Sequence, residues 1–324
     1  MITYSGLAYG DRLGAQMHTL AELVYLAEAN GQELVLYEEL RDFRRGFAFL
    51  PVFEVDGYVR FIHRSGEIKT RLIRRYCRQF SAPPKSEGNW KRIYKDKWAN
   101  LADKLVFHLI LRSYPDFSRI KGLSSQVHCD PQLLTLKEGN YDIGSGYGTY
   151  QDWKAVENTV KNMFRFRSTV LQTAEPKMAA LRAEAAARKP GASLISVHIR
   201  RGDYLMLSSL NLDESYYRRA VEHFDRDNCV FAVFSDDIEG CRAMIDHLGL
   251  CAVYVSGNTA AEDMYLMSRC DGNIIANSSF SFWGAFLNPC AEKTVVCPHD
   301  FIGQSSTENL YINGNYYPDD WIAI

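Results

Sequence analysis

The sequence predicts an α/β protein with a doubly wound parallel sheet. Two observations carry that reading: short strand-like runs alternate with helical stretches, and the runs are predominantly apolar, as strands covered on both faces tend to be. After residue 190 the alternation is regular. Residues 194–199 read as a buried strand, 215–224 have helical spacing, and 230–234 form a second strand. Residues 238–248 are the next helix, stopped by Gly249, and 252–255 the third strand. A helix over 260–270 leads to a fourth strand at 273–276, then a helix over 280–287 and a last strand at 294–297. The start of the chain repeats the theme more weakly. It offers a strand at 2–4, glycines at Gly6, Gly10 and Gly14, a helix over 16–30 ended by Gly31, and a strand at 33–37. Periodicity is poor between 40 and 150. Residues 152–188 look helical, rich in Ala, Glu, Arg and Lys, and end at Pro190-Gly191. The expected organisation is an N-terminal domain over 1–150, a helical connector over 151–191, a C-terminal domain over 192–310 and a tail over 311–324.

A chain of 324 residues with 47% hydrophobic content and a formal net charge of −2 can bury substantial cores and is neither disordered nor collagen-like. No apolar stretch approaches the about 18 residues that span a bilayer. Met1 to Gly6 lack the basic and apolar regions of a signal peptide, so a cytoplasmic protein is the expectation. The charge is unevenly placed. Residues 41–121 hold 19 Lys and Arg against 8 Asp and Glu, so this segment is basic and the remainder acidic. Basic residues there are interleaved with aromatics, as in Arg71, Arg74, Arg75, Tyr76, Arg78 and Phe80. That composition suits nucleic-acid phosphates, an anionic membrane surface, or a plain solvated helix face. Eight cysteines include no C-x-x-C pair and several lie within apolar runs, which points to reduced, buried thiols and no structural zinc.

In an open parallel sheet, ligands sit beyond the carboxyl ends of the strands, where helix N-termini and exposed backbone N–H groups converge. The first strand of the C-terminal half runs into His198-Ile199-Arg200-Arg201-Gly202-Asp203-Tyr204, the second into Ser235-Asp236-Asp237, and the fourth into Asn277-Ser278-Ser279-Phe280. Singly, each has an ordinary explanation. Ser278 and Ser279, or Asp236 and Asp237, suit a helix N-cap, and a His beside a strand is usually a core residue. Arg201-Gly202-Asp203 also spells an adhesion tripeptide, which has no use in a chain without an export signal. Those explanations leave out the coincidence of two arginines, two serines and several carboxylates at successive strand ends. Such a set suits a phosphorylated nucleotide. Arginine forks neutralise a diphosphate, above all one that gains charge as a leaving group, and a carboxylate such as Asp263 can accept from the N1–H and 2-amino group of guanine.

These residues, with Glu262-Asp263-Met264-Tyr265-Leu266-Met267-Ser268-Arg269-Cys270 and the run from Ile274 to Asn288, resemble the α-1,2-fucosyltransferases of glycosyltransferase family 11. The resemblance covers residues 193–290, with the glycine loop and helix near 6–31. It implies a GT-B-like α/β fold of two facing Rossmann-type domains with parallel sheets, the C-terminal one holding GDP-fucose. It also implies inverting transfer, from a β-linked donor to an α-linked product, with no metal and no cofactor. Carried over by position, Arg200 resembles the diphosphate-binding arginine, with Arg201 beside it. His198 and Asp263 resemble guanine-reading positions; Asn277, Ser278, Ser279 and Phe280 line the phosphate side; Asp236 and Asp237 lie near the nucleoside and, being adjacent, make no Asp-x-Asp metal motif. Gly14 and Gln16 are expected to contribute from the N-terminal loop. There, Asp11-Arg12-Leu13-Gly14-Ala15-Gln16-Met17-His18 departs from the family's usual Gly-Gly-Leu-Gly-Asn-Gln and ends like the core α-1,6 and nodulation-factor fucosyltransferases. Phe282 replaces the first Trp of a usual pair, and Gly272 a common His. Asp203 and His18 are the candidates for general base, both expected at the cleft between the domains. A dissociative route with little base assistance leaves Arg200 as the dominant catalytic group.

The expected activity is transfer of L-fucose from GDP-fucose to a galactose-like hydroxyl, α-1,2 in linkage, on a surface polysaccharide or its lipid-linked unit. The alternatives are another GDP-6-deoxyhexose such as colitose, an α-1,6 linkage, and, from a different class, a non-catalytic nucleotide or nucleic-acid binding module using the basic segment. On the first reading nucleic acid is not a partner, and residues 41–121 are expected to hold the chain peripherally at an anionic inner membrane leaflet.

Overall fold

In the computed structural model, which describes residues 1–8, 12–44, 46–64, 66–80, 90–120, 131–143, 148–202, 212–302 and 312–324, contacts divide the chain into two units. One is Met1–Gly148 with Asp152–Arg165, the other Thr149–Gln151 with Phe166–Ile324. The first unit contains β1 (Ile2–Thr3), α1 (Leu13–Ala29), β2 (Val35–Tyr37), β3 (Arg60–Ile62), α2 (Glu67–Phe80), α3 (Trp90–Leu111), β4 (Ser118–Ile120) and β5 (Tyr141–Ile143). Its strands form a sheet β1-β5-β4 and a pair β2-β3, all parallel, linked by one parallel bridge from Ile2 to Leu34. α1 is buried nearly all round, and Gly31 beyond it takes φ +59°, the left-handed conformation that ends a helix without side-chain strain.

Two short helices follow, α4 (Tyr150–Trp153) and α5 (Glu157–Met163), and then α6 (Ser168–Arg188). The second unit continues with β6 (Ser193–Ile199), α7 (Glu214–Val221), β7 (Cys229–Ser235), α8 (Ile238–His247), β8 (Ala252–Val255), α9 (Ala260–Met267), β9 (Gly272–Ile274), α10 (Ser279–Phe286), β10 (Val295–Cys297) and β11 (Ile322–Ala323). Among the described residues its sheet has six strands, all parallel, in the order β11-β10-β9-β6-β7-β8, which is the expected doubly wound sheet. β6 pairs with β7 residue for residue, from Ser193–Cys229 to Ile199–Ser235. Ile195, Val197 and Ile199 of β6 pack with Phe231 and Val233 of β7 against Tyr216, Tyr217 and Val221 of α7 and Ile245 of α8. Asn273 and Asn288, both buried, find their partners around the end of β9. Asn273 Nδ2 donates to Ser196 Oγ (2.6 Å) and Met267 O (2.8 Å), and Asn288 Nδ2 donates to Asn273 Oδ1 (2.9 Å) and Cys270 O (2.8 Å).

The structure departs from the sequence expectations in four places. The helical stretch 152–188 is interrupted: the chain breaks between α5 and α6 because Phe164 and Phe166 must both be buried, against Phe53 and Tyr265 respectively. Contacts divide the chain near residue 165 and not at Pro190-Gly191, since α6 packs on α9. Lys177 Nζ lies 2.7 Å from Glu262 Oε1, and Arg188 Nη1 donates to Ala252 O at 2.7 Å. The tail supplies β11 and a ring cluster, with Tyr316 and Trp321 against Phe282. Finally, the described cysteines are all free, but Cys290 is exposed and Cys251 half-buried while the other five are buried; Cys129 lies outside the described residues.

Candidate active site

β6 and β9 are neighbours, and from them the chain winds in opposite directions, to β7 and β8 on one side and to β10 and β11 on the other. That reversal opens a crevice beyond the carboxyl ends of the two strands, the usual ligand position in such a sheet. The residues leaving β6 are Arg200, Arg201 and Gly202, and those leaving β9 lead to Asn277, Ser278 and Ser279.

The two arginines are held by the two aspartates that follow β7. Arg200 Nη1 lies 2.6 Å from Asp236 Oδ2, and the Arg201 backbone N–H donates to Asp236 Oδ1 at 2.9 Å. Arg201 Nε donates to Asp237 Oδ2 at 3.0 Å. Asp237 also caps α8 by accepting from Gly240 N (3.0 Å), and that N–H, with the Arg201 guanidinium, holds its carboxyl below the usual carboxylate range. Asp237 therefore has both the capping role and the ion-pair role. Guanidinium planes fixed in this way are preorganised cations, which is what a diphosphate needs.

His198 sits beside them, 5% exposed, and its Nδ1 meets no hydrogen-bond partner. Burial, reinforced by the Arg200 charge, pushes its imidazole down to about 4, so it is neutral at neutral pH. Phe280, half-buried in the first turn of α10, tilts against the His198 ring with centroids 5.7 Å apart. Ser278 is the N-cap residue of α10, yet its hydroxyl makes no capping bond. A positive helix end with an uncommitted hydroxyl and a buried nitrogen lacking a partner are suited to an anion and a polar ring.

Asp263 lies in the first turn of α9, beyond β8. Asn258 Nδ2 donates to its Oδ1 at 2.9 Å, and burial raises its carboxyl to about 6. The remaining predicted residues belong to the first unit. Gln16 is buried, and both ends of its amide are engaged, Nε2 with Gly46 O and Oε1 with the Ala48 N–H, each at 2.8 Å, so it braces residues 46–48. Gly14 lies within α1, its carbonyl 3.3 Å from His18 Nδ1. His18 is 1% exposed, edge-on to Trp153, and burial pushes it down to about 3. Asp203 lies outside the described residues.

Four features escaped the sequence reading. A Cβ on Gly202 or Gly240 would land on the Asp236 or Asp237 carboxylate, so both glycines permit the Arg–Asp pairs to form. Asn258 orients Asp263. Thr259 and Glu262 form a capping box on α9, a signal that Thr259-Ala260-Ala261-Glu262 did spell out. Glu22 is a buried carboxyl on α1, accepting from the Gly148 N–H at 3.1 Å. Among the described residues, no three His, Cys, Asp or Glu side chains come together as metal ligands, and no helix is long and apolar enough to cross a membrane.

The model of glycosyl transferase family 11 matches residues 139–324. Among curated proteins, the chain is 34% identical over 144 residues to the O-antigen biosynthesis glycosyltransferase WbnK of Escherichia coli, covering 41% of this chain and 45% of that protein. It is 34% identical over 140 residues to an Escherichia coli alpha-1,2-colitosyltransferase, covering 40% and 47%. The chain thus matches somewhat less than half the length of these relatives. The fucosyltransferase NodZ from Bradyrhizobium is a structural neighbour at 17% identity and a TM-score of 0.45, covering 87% of this chain and 92% of that one.

Proposed function

The chain belongs to glycosyl transferase family 11, and from that premise we propose that it transfers L-fucose from GDP-fucose to a galactose-like hydroxyl in α-1,2 linkage. The observation that carries this reading is the pair of aspartate-held arginines that leave β6 at the point where the sheet order reverses, with α10 following the neighbouring strand β9. On this reading the crevice takes GDP. Arg200 and Arg201 with the α10 terminus, Phe280 included, face the diphosphate, and His198 and Asp263 face the nucleoside.

The reaction breaks the bond from C1 of fucose to the β-phosphate oxygen, and the electron pair leaves with GDP. The acceptor oxygen bonds C1 from the opposite face, converting a β-linked donor to an α-linked product, and releases its proton. Arg200 stabilises the charge growing on the leaving diphosphate, a contribution of about 3 to 4 kcal/mol for such a donor, and this supply of cationic side chains supports transfer without a metal. We assign the proton to Asp203 or to water. A buried imidazole at about 3 is too weak a base for the task near neutral pH, so His18 is read as a packing residue of α1.

A second reading differs only in the donor. The alpha-1,2-colitosyltransferase relative favours another GDP-6-deoxyhexose, for which the guanine and diphosphate contacts are the same. One experiment separates the readings: the protein is incubated with GDP-fucose or GDP-colitose and a panel of galactosides, with and without a chelator, and the product linkage is determined. An α-1,2-fucosyl product formed equally in chelator supports the first reading. Turnover of GDP-colitose alone replaces it with the second, and turnover of neither donor overturns both.

A further inference from the structure

We propose that the outward faces of α2 and α3 form a docking surface for an anionic lipid bilayer. The two helices lie side by side and antiparallel: Lys69 Nζ donates to Ser113 Oγ at 3.1 Å at one end, and Tyr76 OH donates to Asp103 Oδ1 at 3.4 Å nearer the other. Along α2 the exposed positions Ile68, Arg71, Leu72 and Arg75 follow i, i+3, i+4, i+7, one helix face. Along α3 the same rule joins Leu101, Lys104, Leu105, His108, Leu109 and Arg112. Each face therefore interleaves aliphatic with basic side chains. The aliphatic ones are far from buried, at 77% for Ile68, 61% for Leu72, 59% for Leu101, 63% for Leu105 and 43% for Leu109. Five large aliphatic side chains left this open on one pair of helices form a patch that water alone does not favour.

The charges say what covers it. Residues 68–77 and 101–112 contain one acid, Asp103, and it is turned inward, 3.0 Å from Arg44 Nε. The inward basic residue of α2, Arg74, is likewise matched, by Glu38 (2.8 Å) and Asp42 (2.9 Å). Among the described residues, no ion pair engages Arg71, Arg75, Lys104 or Arg112. A helix face of leucines set among unmatched arginines and lysines is suited to the boundary of an anionic leaflet, where aliphatic ends enter the acyl region and cations meet phosphate headgroups. A second copy of the chain is disfavoured, because a two-fold contact would set these cations against themselves. Nucleic acid is disfavoured because single-strand surfaces use aromatic rings for stacking, and the outward positions here are aliphatic.

The test is co-sedimentation of the full chain with vesicles of phosphatidylcholine and phosphatidylglycerol, against vesicles of phosphatidylcholine alone. The protein is expected in the anionic pellet, released by high salt, and weakly retained by the neutral vesicles. Arg71→Gln with Arg75→Gln, and separately Leu101→Ser with Leu105→Ser, should each cut partitioning roughly tenfold or more without lowering the melting temperature, since all four side chains are exposed. Failure of the wild type to pellet with anionic vesicles overturns the proposal, as does a variant that binds as well as the wild type. Salt-sensitive RNA retention without vesicle binding assigns the face to nucleic acid instead. A dimer in solution that the leucine variant dissociates, again without vesicle binding, assigns it to a second copy. Vesicle binding is read without donor or acceptor, so its outcome is independent of the transfer reading.

Discussion

The guanidinium of Arg200 meets the carboxylate of Asp236 at 2.6 Å, tying the loop that leaves β6 to the residue that follows β7. The pair is half-shielded, with side-chain exposures of 16% and 29%, so it fixes an orientation more than it supplies stability. Arg200→Ala is expected to lower turnover by about 10² to 10³-fold, the usual loss when a donor to developing charge is removed. Asp236→Ala leaves the cation but releases its plane, and a smaller loss is expected. Because each variant removes the same contact, the double variant should lose less than the product of the two. Steady-state kinetics on the three proteins test this, and strict additivity would show that Asp236 does not position Arg200.

Gly202 tests the same pair from the backbone. Its φ lies outside the left-handed region, so alanine meets no conformational strain there; the obstacle is the Asp236 carboxylate, which its Cβ would overlap. That carboxylate is held at both oxygens, by Arg200 and by the Arg201 N–H, and cannot move aside without breaking one of them. Gly202→Ala should weaken GDP binding by about 10-fold, the loss of one charge-assisted hydrogen bond, while the melting temperature changes little. Calorimetric titration with GDP measures the first quantity and a thermal melt the second. Unchanged affinity would mean that the Arg–Asp arrangement does not serve the nucleotide.

Asp263 makes GDP binding depend on pH in a definite direction. Burial raises its carboxyl from 3.8 to about 6, so the folded protein prefers the neutral form, and ionising it costs folding stability as pH rises between those values. Guanine N1–H and its 2-amino group are donors and require the ionised form. Affinity for GDP should therefore climb as pH is raised to about 6 and level off above it, with a slope of at most one decade per pH unit. Asp263→Asn should flatten that profile. Affinity that falls with rising pH in this window would remove Asp263 from the base-reading role.

The parts of the fold legible in sequence are those whose local pattern agrees with their final environment. β6 and β7 are seven residues each and buried almost throughout, so their composition alone announces a central parallel strand. Strands β3, β4 and β5 are three residues long, too short for any period to register, and β11 is two. Their pairing comes from tertiary packing. At the site, the strand-end position of Arg200, Asp236 and Ser278 was readable because chain order places a residue after its strand. Which oxygen Arg200 meets was not, since that depends on the absence of a Cβ at Gly202. The match between Asn258 and Asp263 joins a loop to the first turn of a helix and likewise leaves no periodic trace. Glu22 was invisible for the opposite reason: on a helix wheel an acid among apolar residues reads as a solvated edge, and only the burial of α1 nearly all round makes it an interior group.

That interior carboxyl gives a prediction about stability alone. Glu22 is 3% exposed, and burial, with the nearby Asp152 charge, raises its carboxyl from 4.5 to about 8, while the Gly148 N–H opposes the rise. The sign follows from the raised value. The unfolded chain ionises at about pH 4.5 and the folded chain only near pH 8, so between those limits unfolding releases a proton and stability declines as pH rises. At pH 7 the cost is on the order of 3 kcal/mol relative to a neutral group of the same shape. Glu22→Gln keeps an oxygen to accept from Gly148 and cannot ionise. The variant should therefore melt at a higher temperature than the wild type at pH 7, and the difference should shrink toward pH 4.5. Thermal melts across that range decide the matter: a variant less stable at pH 7, or a gap that widens on acidification, would mean that Glu22 is ionised in the folded protein and held by charges other than those named.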